Sequence, residues 1–229
     1  MSALSVAEAA ERLGVSRARV HHMIDAGDLD VQRVGRQWAI DPASLPRSRV
    51  PAGRPMSQRI AWALLLADAE HGDPWLGSDE AYRLRRRVAQ WRASGAPLDR
   101  LRSWLASRAP VMYLAAQDAE AVGHDHRFVA SGVSDPRSGI SAATMAEGYV
   151  HQDEAPGLIA DHLLVPAPRA RANVVLRLSP LALPNPVPDL VVIADLADHD
   201  GAREHEKARD MLWQWQHDRP QPPQEGRQR

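Results

Sequence analysis

Cysteine is absent from the 229 residues of the chain. This absence excludes disulfide scaffolds, thiolate zinc sites, iron–sulfur clusters and cysteine nucleophiles, and it fits a reducing cytosol. A long apolar run is also missing, because the longest, residues 60–67, falls far short of the ~20 residues of a membrane helix. The sequence does not begin with a basic segment followed by an apolar stretch. We therefore expect a soluble, cytoplasmic protein without a membrane partner.

Excess charge of one sign is missing as well, since 28 basic and 29 acidic residues give a net charge of −1. A uniformly basic nucleic-acid coat and an acidic solvating chain are therefore excluded. The charge is nevertheless uneven: residues 1–110 contain 17 basic and 12 acidic residues, whereas residues 111–229 contain 11 and 17. The first half is thus the better candidate for binding an anion. With 44% apolar residues, the chain can also bury a hydrophobic core.

Proline-rich stretches divide the chain into segments of different composition. We predict an N-terminal domain at residues 1–46, a basic Pro/Gly linker at 47–56, a three-helix segment at 57–108, a mixed domain at 109–217 and a disordered tail at 218–229. The candidate strands of the mixed domain are 111–115, 128–130, 148–151 and 173–178, and its final helices are about 189–198 and 202–215. The predicted fold class is therefore α+β, with a helical middle segment.

The first fifty residues predict two short helices joined by a tight turn. Ser5 and Glu8 have the spacing of a capping box, which starts the first helix. Gly14 ends it, because glycine adopts the left-handed backbone at low cost, and Ser16 caps a second helix over residues 17–26. The residues expected to face inward are Val6, Ala9, Ala10, Leu13, Val20, Met23 and Ile24. Helices joined this closely cross steeply, as in a helix-turn-helix.

A β-hairpin is predicted after the two helices. Apolar residues alternate on either side of Gly35, which would form the tight turn. Arg33 and Arg36 flank this turn, so the tip of the hairpin is basic. A short helix with its N-terminus forward fits the major groove of DNA, and a basic hairpin beside it can reach phosphates or the minor groove. A last short helix, capped at Asp41, completes the segment.

Five motifs in fixed order span this N-terminal segment. They are Leu4-Ser5-Val6-Ala7-Glu8-Ala9-Ala10, Leu13-Gly14-Val15-Ser16, Val20 with Ile24, Gly27-Asp28-Leu29, and Arg33-Val34-Gly35-Arg36-Gln37-Trp38 with Ile40. Together they resemble the excisionase/MerR-like winged helix-turn-helix domain. The resemblance implies a regulator of transcription that binds double-stranded DNA, with the second helix at the groove and the hairpin as the wing.

The predicted DNA-binding residues follow from this arrangement. They are Ser16, Arg17, Arg19, His21, His22, Arg33, Arg36, Gln37, Arg47 and Arg49. We expect Arg17, Arg19 and His22 to read base edges. The hairpin and linker arginines would contact phosphates. The alternative interpretation is a solvated charged face without a partner.

An arginine-rich helix is predicted further along, with basic residues at 83 and 85–87. Arg83, Arg86 and Arg87 are candidates for a second DNA contact. An amphipathic helix with a salt-bridged surface, facing acidic residues of the C-terminal half, explains the pattern equally well. Because one helix-turn-helix has a small footprint, useful affinity requires such a second contact or a homodimer on an inverted repeat.

Three histidine clusters could suggest a metal site. They are His124-Asp125-His126, Asp198-His199-Asp200 and Glu204-His205-Glu206. A catalytic metal needs three or four converging ligands, so we interpret all three clusters as solvated surface. No nucleophile elbow, phosphate loop or dinucleotide-binding glycine pattern is found. We therefore predict no enzyme activity, no cofactor and no metal. The alternative is a metal-dependent hydrolase that uses His124 and His126.

The C-terminal half carries looser motifs at residues 128–134, 147–150, 172–177, 189–196 and 203–212. They resemble the C-terminal domain of AbiEi-type antitoxins of type IV toxin–antitoxin systems. This resemblance implies an antitoxin that represses its own operon and counteracts a nucleotidyltransferase-like toxin, which would be its protein partner. The alternative is a regulator that senses a ligand or another protein.

Overall fold

The computed structural model of the chain describes residues 3–13, 16–25, 29, 31–35, 37–42, 54–66, 76–95 and 97–217. They belong to two compact units, Met1–Ala52 and Gly53–Arg229. The glycine predicted to end the first helix, the short helix after Asp41, most of the linker and the tail lie outside the described residues. No helix in the described ranges is long and apolar enough to cross a membrane.

The first unit contains the two predicted helices and the predicted hairpin. They are α1 (Val6–Leu13), α2 (Arg17–Asp25), β1 (Val31–Val34) and β2 (Gln37–Ile40), and the two strands are antiparallel. The buried core consists of Ala9, Ala10, Val20, Ile24, Leu29 and Ile40, with Leu4, Val6, Leu13, Met23, Val31 and Trp38 packed against it. Leu4 also bridges to Ile40 through N–H···O bonds of 2.9 and 2.8 Å, which fasten the segment before α1 to the hairpin.

The second unit is mixed, and the predicted α+β class is confirmed. Its helices are α3 (Gln58–Leu66), α4 (Ser78–Ala93), α5 (Leu98–Leu105), α6 (Ala119–Gly123), α7 (Ala155–Asp161), α8 (Asp189–Asp198) and α9 (Ala202–His217). Its strands are β3 (Val111–Ala115), β4 (Val129–Ala130), β5 (Ala146–His151), β6 (Val165–Pro166) and β7 (Val174–Ser179). The predicted strands and final helices all occur, with ends shifted by a few residues.

The five strands form one sheet in the spatial order β4-β5-β7-β3-β6. β5 and β7 are parallel, and every other neighbouring pair is antiparallel. Successive side chains of a strand point to opposite faces, so Tyr149 enters the core on one face and Val150 the core on the other. α6 and α7 cover the second face, and α8 lies in the core of the first. Because both faces are covered, β5 is almost continuously buried.

Residues 57–108 share one hydrophobic core with the C-terminal helices. Trp91 of α4 contacts Trp104 of α5 and Trp215 of α9, with ring centroids 5.9 and 6.2 Å away. α8 is buried along nearly its whole length and packs against α5 and α9. The predicted boundary at 108/109 therefore does not separate two units. The reason is that the apolar residues of α3, α4 and α5 are buried in the same core cluster as those of α8 and α9.

The linker predicted at residues 47–56 includes a residue that belongs to the second unit. Met56 is buried in the same core as α3 and α5. Its N–H donates to the carbonyl oxygen of Trp104 at 2.9 Å. Removing an apolar side chain from water contributes about 25 cal/mol per Å², so Met56 packs into the core although Pro55 precedes it.

A network of buried charges connects the sheet to α8. Arg108, Arg177, Glu147 and Asp195 are each at most 3% exposed. Asp195 accepts hydrogen bonds from Arg108 and from the Tyr149 hydroxyl (2.9 Å), and forms an ion pair with Arg177 (3.1 Å). Arg177 also donates to Glu147 at 2.7 Å. Burial opposes ionisation of Asp195, but the two guanidinium groups hold its pKa below the ordinary value. We name these five residues, with Ser131, the α8 network.

The backbone of a 3₁₀ turn, Gly132–Ser134, also holds Glu147. The Glu147 carboxylate accepts a hydrogen bond from the Val133 N–H at 2.9 Å. Gly132 has φ +55°, and a Cβ at this position would lie 2.2 Å from the carboxylate. Any other residue would be strained and would displace Glu147, so the turn requires glycine here.

Two of the three histidine clusters are only partly the solvated surface that the sequence suggests: Asp200 and Glu206 are exposed, whereas the other residues are at least partly buried. His199 Nε2 lies 2.8 Å from the Glu147 carboxylate; burial opposes the charged imidazole, but this hydrogen bond raises the pKa of His199. His205 is buried, and its Nε2 lies 2.6 Å from the His199 carbonyl oxygen. Asp198 binds Arg108 at 2.6 Å. The difference arises because α8 ends beside the buried guanidinium groups, so these polar groups face one another rather than water.

In the remaining cluster, the carboxylate of Asp125 already has two hydrogen-bond partners. Arg127 donates to Asp125, and His162 Nε2 lies 2.9 Å from it; these hydrogen bonds lower the pKa of Asp125. His124 and His126 on either side are exposed. Within the part of the chain that the structure describes, no group of three or more His, Asp or Glu residues could hold a metal ion.

Candidate nucleic-acid interface

Side-chain caps start both helices of the first unit. The Ser5 N–H donates to the Glu8 carboxylate at 2.7 Å, and the Glu8 N–H donates to Ser5 Oγ at 3.2 Å. The Ser5 N–H and the Ser5 hydroxyl, which both donate to the Glu8 carboxylate, lower the pKa of Glu8. Ser16 Oγ accepts the Arg19 N–H at 3.2 Å at the start of α2. Ser16, predicted as a DNA contact, therefore fixes the start of the helix that carries the other candidates.

The outer surface of α2 carries four predicted DNA contacts in an ordered arc. At 100° per residue, the exposed residues follow one another around the helix as Arg17, His21, Ala18, His22 and Arg19. The two arginines thus lie at the edges of the arc and the two histidines inside it. Val20 and Ile24, on the opposite side, are buried against α1.

Ala18 occupies the centre of this arc, and it was not among the predicted contacts. Its exposure follows from the helical spacing between Val20 and Ile24 on the buried side. A methyl group at the centre lets the helix backbone approach a surface closely, with longer side chains on both flanks. The spacing of apolar residues in α2 was sufficient to identify it.

The hairpin presents basic and polar side chains beside the helix pair. Gly35 has φ +62°, as a tight turn between β1 and β2 requires. Arg33 pairs with Trp38 across the hairpin, and its Cζ lies 5.5 Å from the Trp38 ring centroid. Gln37 is exposed. Three further predicted contacts, Arg36, Arg47 and Arg49, lie outside the described residues.

The described arginines of this surface form no ion pair with another side chain that the structure describes. Arg17, Arg19 and Arg33 form no ion pair with any other residue that the structure describes. The first turn of α2 contains no acidic residue, and Glu8 of α1 is engaged with Ser5. No described carboxylate therefore competes for these guanidinium groups, and arginine is well suited to bind an external anion by its fixed fork of donors.

The predicted second contact lies in the other unit. Arg83, Arg86 and Arg87 are exposed residues of α4. α4 packs through Leu84 and Trp91 into the core of the second unit. These three arginines therefore belong to the second unit, whereas α2 and the hairpin belong to the first.

Comparison with known proteins identifies the first unit. Residues 3–46 match the family described as "Helix-turn-helix domain". No curated protein and no solved structure matches the chain. The match covers α1, α2 and the hairpin, and it ends before the second unit, whose resemblance to antitoxins stays a prediction. The first unit is therefore a helix-turn-helix domain, of the kind that binds DNA.

Proposed function

We propose that the chain is a cytoplasmic regulator of transcription whose first unit binds duplex DNA sequence-specifically. The observation that carries this proposal is the exposed arc of α2, which presents two arginines and two histidines beside a basic hairpin. A helix of this kind fits the major groove, where every base pair displays a distinct pattern of donors and acceptors. Arg33 would hold a neighbouring phosphate.

One such domain provides a limited interface. A single module buries roughly 600–1,000 Å² of protein surface on DNA. We therefore propose that two copies of the chain bind an inverted repeat, so that two α2 helices enter successive major grooves on one side of the duplex.

We expect the full chain to bind a labelled duplex taken from the region upstream of its own gene. The affinity should fall steeply between about 50 and 200 mM salt, because phosphate contacts release counterions. It should exceed the affinity for a scrambled duplex by at least about tenfold. Fluorescence anisotropy measures both quantities. If neither duplex binds at low salt, the proposed function is wrong.

We further propose that the regulator is an antitoxin that represses its own operon and counteracts a nucleotidyltransferase-like toxin. Two observations support a protein partner for the second unit. Residues 111–229 have an excess of six acidic residues, with 11 basic and 17 acidic, which complements an enzyme that binds nucleotide phosphates. Leu163, which precedes the edge strand β6, is 81% exposed, and Val165, the first residue of β6, is 56% exposed. Exposed apolar residues at a sheet edge are typical of a binding surface.

The antitoxin proposal predicts a stable complex with the product of the adjacent gene. After co-expression, the two proteins should co-purify, and Leu163→Asp together with Val165→Asp should weaken the complex by about tenfold or more. Val34→Asp, which changes an apolar residue of the first unit that is 61% exposed, serves as the matched control. Isothermal titration gives the affinities. Separate elution of the unmodified proteins contradicts the antitoxin role and leaves the DNA-binding proposal intact.

A ligand-sensing regulator is the less favoured alternative. One cavity of about 160 Å³ lies near β5, and its lining includes His126, Tyr149 and His151. Pockets for drug-sized ligands measure about 300–1,000 Å³. The cavity is therefore too small for most effectors, whereas the exposed apolar edge fits a protein partner.

A further inference from the structure

Three arginines of α4 and one of α5 form a basic surface on the second unit. Arg83, Arg86 and Arg87 have the i, i+3, i+4 spacing that places side chains on one flank of a helix, and all three are exposed. Arg100 of α5 is exposed as well and lies near Arg87, where burial and the charge of Arg100 together lower the pKa of Arg87. We call these four residues the α4–α5 basic surface.

No arginine of the α4–α5 basic surface forms an ion pair with a residue that the structure describes. Glu80, on the same helix, is bound by Arg59 of α3, and this hydrogen bond lowers its pKa most, whereas the charge of Arg83 contributes least. The salt-bridged surface that the sequence also suggested is therefore not formed by the described acidic residues of the C-terminal half. Unpaired like charges held together are unfavourable alone and become favourable when an anion neutralises them.

One arginine of this surface is already ordered by packing. The Arg87 Cζ lies 4.4 Å from the centroid of the Trp104 ring, and Trp104 is buried in the core of the second unit. This cation–π contact restricts the Arg87 side chain before any ligand binds. Since less conformational freedom is lost on binding, an ordered cation binds a phosphate with a smaller entropic cost.

We propose that the α4–α5 basic surface binds the phosphate backbone of the duplex that flanks the site read by α2. This inference rests on the proposed DNA-binding function. Charge complementarity favours DNA, because Arg83 and Arg87 stand about 6 Å apart along the helix axis with no acidic residue between them. Residues 111–229 of the same chain are acidic and would be repelled by DNA. A basic surface on the second unit offsets this repulsion.

The test compares the full chain with a variant carrying Arg83→Gln, Arg86→Gln and Arg87→Gln. On an upstream duplex of about 40 base pairs, several helical turns long, the variant should bind about 10- to 100-fold more weakly. The slope of log affinity against log salt should become shallower by about 0.9 for each lost phosphate contact, or 2 to 3 in total. The loss should be equal for a scrambled duplex of the same length, because phosphate contacts carry no sequence information.

Arg85→Gln is the matched control. It removes the same charge from another exposed position of α4, about 160° around the helix from Arg83 and Arg87. We expect the slope of log affinity against log salt for this variant to differ from that of the unmodified chain by less than half of the change caused by losing one phosphate contact. The double variant Arg83→Gln/Arg86→Gln keeps the Arg87–Trp104 contact, and a thermal melt equal to that of the unmodified chain shows that its loss of affinity does not come from unfolding.

The outcomes separate this inference from the proposed function. If the unmodified chain binds DNA and the triple variant behaves like Arg85→Gln, the inference alone is overturned. If the unmodified chain binds no duplex, the proposed function is wrong and the inference falls with it. A labelled poly-glutamate peptide tests the other class of partner. If the triple variant loses this peptide and keeps its affinity for DNA, the surface binds acidic proteins and the inference is overturned.

Discussion

Replacing Asp195 by alanine should lower the free energy of unfolding of the second unit by about 3–5 kcal/mol. Asp195 is fully buried and accepts hydrogen bonds from Arg108, Tyr149 and Ser131. Without its carboxylate, Arg108 and Arg177 remain buried with too little negative charge around them, and the two hydroxyl groups lose an acceptor. A domain is stable by only about 5–15 kcal/mol, so this variant should be close to unfolding at body temperature.

Two further variants separate the charge of Asp195 from its position. Asp195→Asn keeps the side-chain volume and one acceptor oxygen but removes the charge. It should therefore lower the free energy of unfolding by less than Asp195→Ala does. Asp200→Ala removes a carboxylate that is 74% exposed and 3.3 Å from Arg169, and it should change the stability by at most about 1 kcal/mol. Urea unfolding followed by tryptophan fluorescence measures all three. A loss below 1 kcal/mol for Asp195→Ala would show that the α8 network contributes little to stability.

Replacing Arg19 by alanine should reduce the preference of the chain for its own operator over a scrambled duplex by about 1–3 kcal/mol, which is the discrimination supplied by one bidentate base contact. Arg19 is exposed at the edge of the α2 arc, next to His22 on the helix surface. It also has no ion pair among the residues that the structure describes. With α2 in the major groove as proposed, its guanidinium would contact the edge of a base, with guanine as the best partner.

Arg33→Ala is the matched comparison, because it removes the same charge from the hairpin. It should weaken binding to the operator and to the scrambled duplex by the same factor. The slope of log affinity against log salt should become shallower by the amount expected for the loss of about one phosphate contact. Competition binding with the two duplexes at several salt concentrations measures both effects. Equal losses of specificity in the two variants, or none in either, would contradict the roles assigned to α2 and the hairpin.

The sequence predicted the first unit closely because its elements depend on near neighbours. Ser5 and Glu8, three residues apart, cap α1. Gly35 lies in the two-residue turn between β1 and β2. Both interactions are local, so the pattern of residue types is sufficient to identify them. The same holds for α8 and α9, whose starts at Asp189 and Ala202 agree with the prediction.

In the second unit, the structure differs from the sequence prediction in the partners of polar residues that are distant in the chain. His199 and Asp198 have the composition of a solvated loop, yet they face Glu147 and Arg108. Arg108 and Asp195 are 87 positions apart in the chain. Their pairing depends on the order of strands in the sheet and on the placement of α8 against it, which no local pattern specifies.

The sequence by itself determined the helix-turn-helix, its caps, the hairpin and the arginines that these elements expose, because helical and strand periodicity decide which side chains face outward. Only the tertiary structure decided that α3, α4 and α5 share a core with α8 and α9, that Asp195 and Glu147 neutralise two buried arginines, and that the arginines of α4 form no ion pair with a described residue. Burial and ion pairing depend on what lies across a packed interface, and that neighbour is set by the fold.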